Sequence, residues 1–240
     1  MKHTAIVFLL FASTAISIGA QTKPKPKPKA TPAKIPAAVP MKAGTAPVPA
    51  SDIDKGSVAG RTYTNKQFGF EVTFPDTWLI PDDDFEAYMK SQGFDLGLKA
   101  PDSLPPSARA KINAAIKRVD ILLTAYRSMP GSTDNAIVRI SVEDLSANPQ
   151  IKDAVDYFDA VRAMYAAMRL PADFKYSETQ AEKLGSMHFG YLDASTKAGK
   201  KRMYATVRKG FAVMFTISYS QEADLDTLRQ VLSAGDFFLK

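Results

Sequence analysis

The segment 187–219 reads Met187-His188-Phe189-Gly190-Tyr191-Leu192-Asp193, then Arg202-Met203-Tyr204-Ala205-Thr206-Val207-Arg208, then Phe211-Ala212-Val213-Met214-Phe215-Thr216-Ile217-Ser218-Tyr219. Each run is rich in aromatic and β-branched residues, which suit a pleated, half-buried surface, so three strands are expected in succession. Ala198-Gly199-Lys200 and Lys209-Gly210 join them. Connections this short make the strands antiparallel neighbours, because a parallel pair needs a crossover of a dozen or more residues. A strictly alternating parallel fold would not place three strands together.

Working outward, Leu225, Leu228, Val231 and Leu232 recur at helical spacing, with Ser220 near the start, Glu222 and Asp224 in the first turn and Gly235 after the end. These are helix start and stop signals. Upstream, Ile151, Val155, Phe158, Tyr165 and Met168 form an apolar stripe, with Asp153 and Asp156 at its acidic start, Arg169 in its last turn and Pro171 ending it. Both ends suit the helix dipole. Two further β-rich runs, Asp120–Tyr126 and Ala136–Val142, flank the turn signal Pro130-Gly131-Ser132. Before them, Ala108, Ile112, Ala115, Ile116 and Val119 mark a helix opened by Pro105-Pro106. Phe85, Tyr88 and Met89 mark another behind Asp82-Asp83-Asp84. Phe68, Phe70, Val72 and Phe74 alternate as a strand stopped by Pro75. The expected order is strand, helix, helix, two strands, helix, three strands, helix. Its fold class is α+β, an antiparallel β-sheet flanked by α-helices as an α/β/α sandwich, in one domain over residues 61–240.

Residues 1–60 differ in kind. They hold eight lysines against Asp52 and Asp54, which accounts for the whole net charge of +6 over the 240 residues. The remainder is neutral. Nucleic-acid binding needs basic residues gathered on a folded face, so it is not expected from this balance. Met1–Ala20 has a charged start, an apolar run from Ala5 to Ile18 and a small-residue end, the plan of a secretory signal, with the cut expected between Ala20 and Gln21. Left uncleaved, Ala5–Ala20 would span about 24 Å at ~1.5 Å per residue, short of the ~30 Å hydrocarbon core. The expectation is export to the periplasm or exterior, with no transmembrane segment after cleavage. Residues 21–60 carry eight prolines among Lys, Ala and Thr. The alternation Lys23-Pro24-Lys25-Pro26-Lys27-Pro28-Lys29 removes backbone donors and fixes φ, leaving an extended polyproline II tether. Its lysines suit an anionic envelope surface, attracted without specificity.

Tyr63-Thr64-Asn65, the strand Gly69-Phe70-Glu71-Val72-Thr73-Phe74-Pro75 and Trp78 resemble the opening of the PsbP-like, or Mog-type, α/β/α sandwich superfamily. Tyr63, Phe70, Phe74, Pro75 and Trp78 are the signature positions. The resemblance implies a non-catalytic domain used for docking or assembly in exported or organelle proteins. The stretch Leu104–Arg118 is longer than the usual connection of that superfamily.

No catalytic residue, cofactor site or metal site is expected, and the chain is read as not being an enzyme. There is no cysteine, which removes thiolate chemistry and Cys-ligated zinc. Only His188 remains after loss of the leader, so a His-based metal cluster is ruled out. No Gly-x-Ser-x-Gly nucleophile motif occurs to use His188 as a base. Asp82-Asp83-Asp84 lacks the alternating spacing of a calcium loop and reads as helix capping. Gly199-Lys200 has neither the earlier glycine nor the following Ser/Thr of a phosphate loop. Lys197, Lys200, Lys201, Arg202, Arg208 and Lys209 are the candidate interaction patch, gathered about two neighbouring hairpin tips and suited to an acidic partner. Two functions fit this reading. The first is an envelope interaction or assembly module on a basic arm, with an envelope protein or anionic surface as partner. The alternative is a carrier of a small apolar ligand between sheet and helices.

Overall fold

The computed structural model describes residues 53–93, 100, 104–132, 134–168 and 170–238. Ala20, Gln21 and the Lys/Pro tether lie outside these residues, as does Arg169.

The three-strand segment folds as its sequence requires. β8 (Met187–Thr196), β9 (Gly199–Arg208) and β10 (Phe211–Tyr219) form a continuous antiparallel meander. At the β9–β10 turn both Lys209 (φ 51°) and Gly210 (φ 78°) take positive φ. That is the backbone of a two-residue turn whose twist matches the strands. β10 also pairs with β5 (Ile137–Asp144), and β5 with β4 (Val119–Tyr126), both antiparallel. On the other side, β6 (Lys175–Tyr176) and β7 (Gln180–Leu184) share the outer edge of β8. The seven-stranded sheet therefore runs β4-β5-β10-β9-β8, with β6 and β7 side by side along the last edge.

A second, three-stranded antiparallel sheet comprises β1 (Ser57–Ala59), β2 (Thr62–Asn65) and β3 (Phe70–Thr73). The chain end adds to it, Glu71 and Asp236 exchanging backbone hydrogen bonds of 2.7 and 2.9 Å. The described structure thus includes residues 53–60 of the segment assigned to the tether. Ile53 packs on the core, and Lys55 Nζ pairs with Asp120 at 2.7 Å. The exposed, polar run before Arg61 hides this at sequence level, because its order comes from β2 and not from its own apolar pattern.

Among the described residues there are four helices, α1 (Asp83–Ser91), α2 (Pro106–Ile116), α3 (Ala154–Ala166) and α4 (Glu222–Ala234), of which α3 and α4 pack on the strands. Asp153 caps α3, its Oδ1 accepting from Val155 N at 2.8 Å and Asp156 N at 2.9 Å. The other expected caps differ in detail. Asp82 holds the N-cap position of α1 but makes no side-chain cap bond. Gln221, not Ser220, precedes α4, and Ser220 Oγ instead donates to Asp134 at 2.5 Å.

Alternation along the strands sends side chains to two cores. One face packs Phe215, Ile217, Val213 and Tyr204 against β3 and α4, with Phe70 and Phe189 each edge-to-face on Phe215, Phe189 edge-to-face on Phe237, and Phe70 stacked on Phe237. The other packs Met203, Ala205, Met214 and Leu192 against α3 through Tyr157, Phe158, Val161 and Tyr165. The architecture is α+β, with helices on both faces of an antiparallel sheet. Trp78 and Phe74 are buried at 3% exposure each and lie 6.2 Å apart between ring centres, so the tryptophan is a core plug. Tyr63 and Phe70 are likewise buried, and Pro75 is exposed.

Candidate functional site

Register gathers four side chains from four strands at one end of the sheet. Lys175 of β6 faces Ser195 of β8, Ser195 faces Lys200 of β9, and Lys200 faces Tyr219 of β10. Directly cross-strand residues share a face, and each step between strands is about 4.8 Å. The row therefore runs about 14 Å across the end of the sheet. Two residues further in, on the same face, Asp193 faces Arg202.

That inner pair is closed bidentately, Arg202 Nε to Asp193 Oδ1 at 2.7 Å and the terminal nitrogen to Oδ2 at 2.6 Å. The guanidinium also lies 4.4 Å from the Tyr191 ring centre. Burial works against the charge on Arg202, but hydrogen bonds to Asp193 and Tyr204 hold its pKa above the ordinary arginine value. Tyr204 Oη donates to Glu182 at 2.7 Å, and Arg229 of α4 closes on the same carboxylate. Glu182 is consequently pulled below the usual carboxylate range: its partial burial acts upward, and the hydrogen bonds from Tyr204 and Arg229 overcome it. β7, β8, β9 and α4 are thus tied together by one polar network behind the row.

An open groove of about 320 Å³ lies over this arrangement, lined by the four row residues, Asp193 and Arg202 among others. A second, of about 510 Å³, shares Lys175 and Ser195 and continues past Lys197 in the β8–β9 turn. The Lys197 amide donates to Asp173 Oδ2 at 3.1 Å, which fixes the turn. Lys200 Nζ reaches Glu222 at the start of α4 at 2.5 Å.

Of the six residues of the expected patch, Lys197, Lys200, Lys201 and Arg202 border the paired grooves, while Arg208 and Lys209 lie apart from them. Arg208 and Lys209 stand at the far end of β9, whose ten residues at ~3.3 Å each span about 30 Å. There Arg208 donates to Phe68 O at 3.0 Å and Gly69 O at 2.9 Å, and Lys209 Nζ to Gln67 O at 2.8 Å, so both fasten the small sheet to the large one. Lys201 departs furthest from the expectation. It alternates away from Lys200 and Arg202 onto the opposite face, at 5% exposure. Burial, and then the charge of nearby Arg139, bring its ammonium down to about 7. Sequence proximity to two hairpin tips made one patch of what strand length and alternation divide. Conversely, Lys175, Ser195 and Tyr219 were not in the expected patch. Lys175 sits in a two-residue strand with no pattern of its own, and Tyr219 reads as an ordinary core aromatic.

The remaining chemistry-bearing residues are placed structurally. His188 is exposed on β8 opposite Lys183. Glu143 is fully buried and accepts from Tyr157 Oη at 2.8 Å, with an Arg118 nitrogen at 3.7 Å. Burial and then the Glu143 charge push the Tyr157 phenol well above its ordinary value. Asp144 alternates to the exposed side and accepts from Ser146 N at 2.8 Å, so these neighbouring carboxylates do not share a site. Among the described residues no group of three or more His, Cys, Asp or Glu side chains is placed to hold a metal ion. No described helix is long and apolar enough to cross a membrane.

No known family and no curated protein matches the sequence. Among solved structures, the chain is similar to the solution structure of cyanobacterial PsbP (CyanoP) from Synechocystis sp. PCC 6803. The two are 15% identical with a TM-score of 0.40, over 76% of this chain and 98% of that one. It is also similar to a crystal structure of a protein from Bacteroides thetaiotaomicron VPI-5482. There the identity is 10% and the TM-score 0.37, over 75% of this chain and 49% of the other, about half that protein's length.

Proposed function

We propose that this chain is a non-enzymatic interaction module of the cell envelope, exported by its leader, held by its basic proline-rich arm and docking an acidic partner at the basic end of its sheet. The observation that carries this reading is the set of lysines around the paired grooves. Lys175, Lys197 and Lys200 surround an opening whose inner wall, Arg202 on Asp193, is already locked. A rigid wall with exposed cations at its rim suits recognition, since little ordering entropy is spent on the wall when a partner arrives. Rim charges of this kind speed encounter and select partner sign more than they add affinity. The arm adds reach: at ~3.1 Å per residue, an extended tether of this composition carries the domain roughly 90 Å from its starting point.

Photo-crosslinking from position 196, which lines the second groove beside Lys197, tests the proposal in intact cells. The expected result is a reproducible envelope neighbour that is lost when Lys175 and Lys197 are both changed to Glu. A crosslinking pattern with no reproducible neighbour, or one indifferent to the double charge reversal, overturns it.

A further inference from the structure

We propose that the row Lys175, Ser195, Lys200 and Tyr219 is a binding site for the carboxylate of a hydroxylated organic acid, of the class of sugar acids. The inference rests on the reading of this sheet end as a working surface and names the chemistry the surface holds.

Three observations carry it. First, the donors are in register and idle. Neither the Lys175 ammonium nor the Ser195 hydroxyl makes a hydrogen bond or ion pair among the described residues, although they face each other across β6 and β8. Second, Tyr219 is only 7% exposed, lines the groove, and its hydroxyl likewise has no partner among the described residues. The hydroxyl opens on the groove, where it is free to donate to a ligand. Burial, and then the charges of Glu222 and Asp193, push this phenol up to about 12, so it is a donor at any physiological pH. The same two carboxylates line the groove, which locates the hydroxyl among them.

Third, the charge inventory selects the ligand. Among the described residues that line this groove, Lys200 is matched by Glu222, Arg202 by Asp193, and Lys201 is buried beside Arg139, while Lys175 has no carboxylate partner. Lys201 faces the other side of the sheet, away from the row. One surplus positive charge suits a monoanion. A phosphate dianion would set a second negative charge beside Asp193 and Glu222. A carboxylate seated over Ser195 can accept from Lys175, the serine hydroxyl and Lys200 together. Ligand hydroxyls then have Tyr219 as donor and the free lone pairs of Asp193 and Glu222 as acceptors. A volume of about 320 Å³ holds one sugar-sized unit, and the adjoining groove past Lys197 continues the site for an oligomer.

The test is an amide chemical-shift titration of the isotope-labelled full chain with sodium D-galacturonate, with D-galactose and inorganic phosphate as comparison ligands at matched ionic strength. The expected result is saturable shifts at Lys175, Ser195, Lys200 and Tyr219 with galacturonate, about tenfold tighter than with either comparison ligand. Lys175→Met and Tyr219→Phe should each weaken that binding about tenfold, a loss of about 1.4 kcal/mol, while the remaining amide shifts stay in place and report an intact fold. Shifts that grow linearly without saturating, that survive Lys175→Met, or that saturate more tightly with phosphate overturn the inference. A crosslinked envelope neighbour with no saturable galacturonate binding removes this inference alone. Saturable binding with no neighbour in cells removes the docking proposal alone.

Discussion

Arg202 and Asp193 face each other across the β8–β9 ladder and are joined by two parallel hydrogen bonds of 2.7 and 2.6 Å, with the guanidinium stacked on Tyr191. Bidentate geometry on a cross-strand pair fixes both the register of the strands and the wall of the groove in front of them. The pair is partly exposed, 17% and 34% at the two side chains, so solvent weakens its electrostatic part. Asp193→Asn keeps the shape but turns one acceptor oxygen into a donor facing the guanidinium. The expected loss is about 1–2 kcal/mol, the range for a hydrogen bond to a charged group after allowance for screening. Urea unfolding should show a lower midpoint at unchanged slope, and an unchanged midpoint would mean that the pair contributes no net stability.

Lys201 makes stability depend on pH. Its folded-state pKa, about 7, lies below the unfolded value of 10.5. Between those limits the unfolded chain binds more protons than the folded one, so stability rises with pH across that window, by at most about 1.4 kcal/mol per pH unit. Below pH 7 both states are protonated and the penalty is fully present. Lys201→Met, which keeps an unbranched chain of similar length in the same space, should flatten this rise. Thermal unfolding of both proteins from pH 7 to pH 10 checks it; parallel curves for the two would exclude Lys201 as the source.

The meander was legible because its three strands each carry a strong pattern and its turns are too short for any other arrangement. Residues 175–184 were not. Lys175-Tyr176 and Gln180–Leu184 are short and polar, and they become strands only because β8 is longer than its apolar run and offers an unpaired edge. The candidate site suffers the same way. Its members come from β6, β8, β9 and β10, and only the register tells that Lys200 faces Ser195 while Lys201 turns inward toward Arg139. Charge read along the chain cannot distinguish a rim lysine from a buried one two atoms of backbone away, because alternation depends on where the strand starts.

Gly190 is a place where the sheet tolerates no side chain. A Cβ built there would lie 2.7 Å from Ala154 Cβ and 3.1 Å from the Ala154 carbonyl carbon, at the first turn of α3. β8 and α3 approach through small residues at that point, and a methyl group must push the helix away from its seat on Leu192 and Met203. Gly190→Ala should destabilise the fold by about 1–3 kcal/mol, the usual range for overpacking. Gly190→Ala combined with Ala154→Gly should recover part of the loss, and a double-mutant cycle in denaturant measures that coupling.

Arg208 holds the two sheets together at the opposite end of β9 from the groove. One terminal nitrogen serves both Phe68 O and Gly69 O, in the turn between β2 and β3 where Gly69 takes φ 67°. The other terminal nitrogen lies 3.2 Å from Met187 Sδ, and the guanidinium carbon lies 5.7 Å from the Phe237 ring centre. Arg208→Met retains most of the apolar stem and removes both hydrogen bonds to the turn. Its carbonyls remain close enough to the surface to recruit water, so the expected loss is about 1–2 kcal/mol and not a full desolvation penalty. The loss should be local, because β2 and β3 meet the rest of the molecule chiefly through side-chain packing while the seven strands of the large sheet share continuous ladders. Amide hydrogen exchange is the direct measurement. In Arg208→Met the protected amides of β2 and β3 should exchange faster by roughly tenfold per 1.4 kcal/mol, with those of β5, β9 and β10 little changed. Uniform acceleration across both sheets would instead show that they open as one cooperative unit.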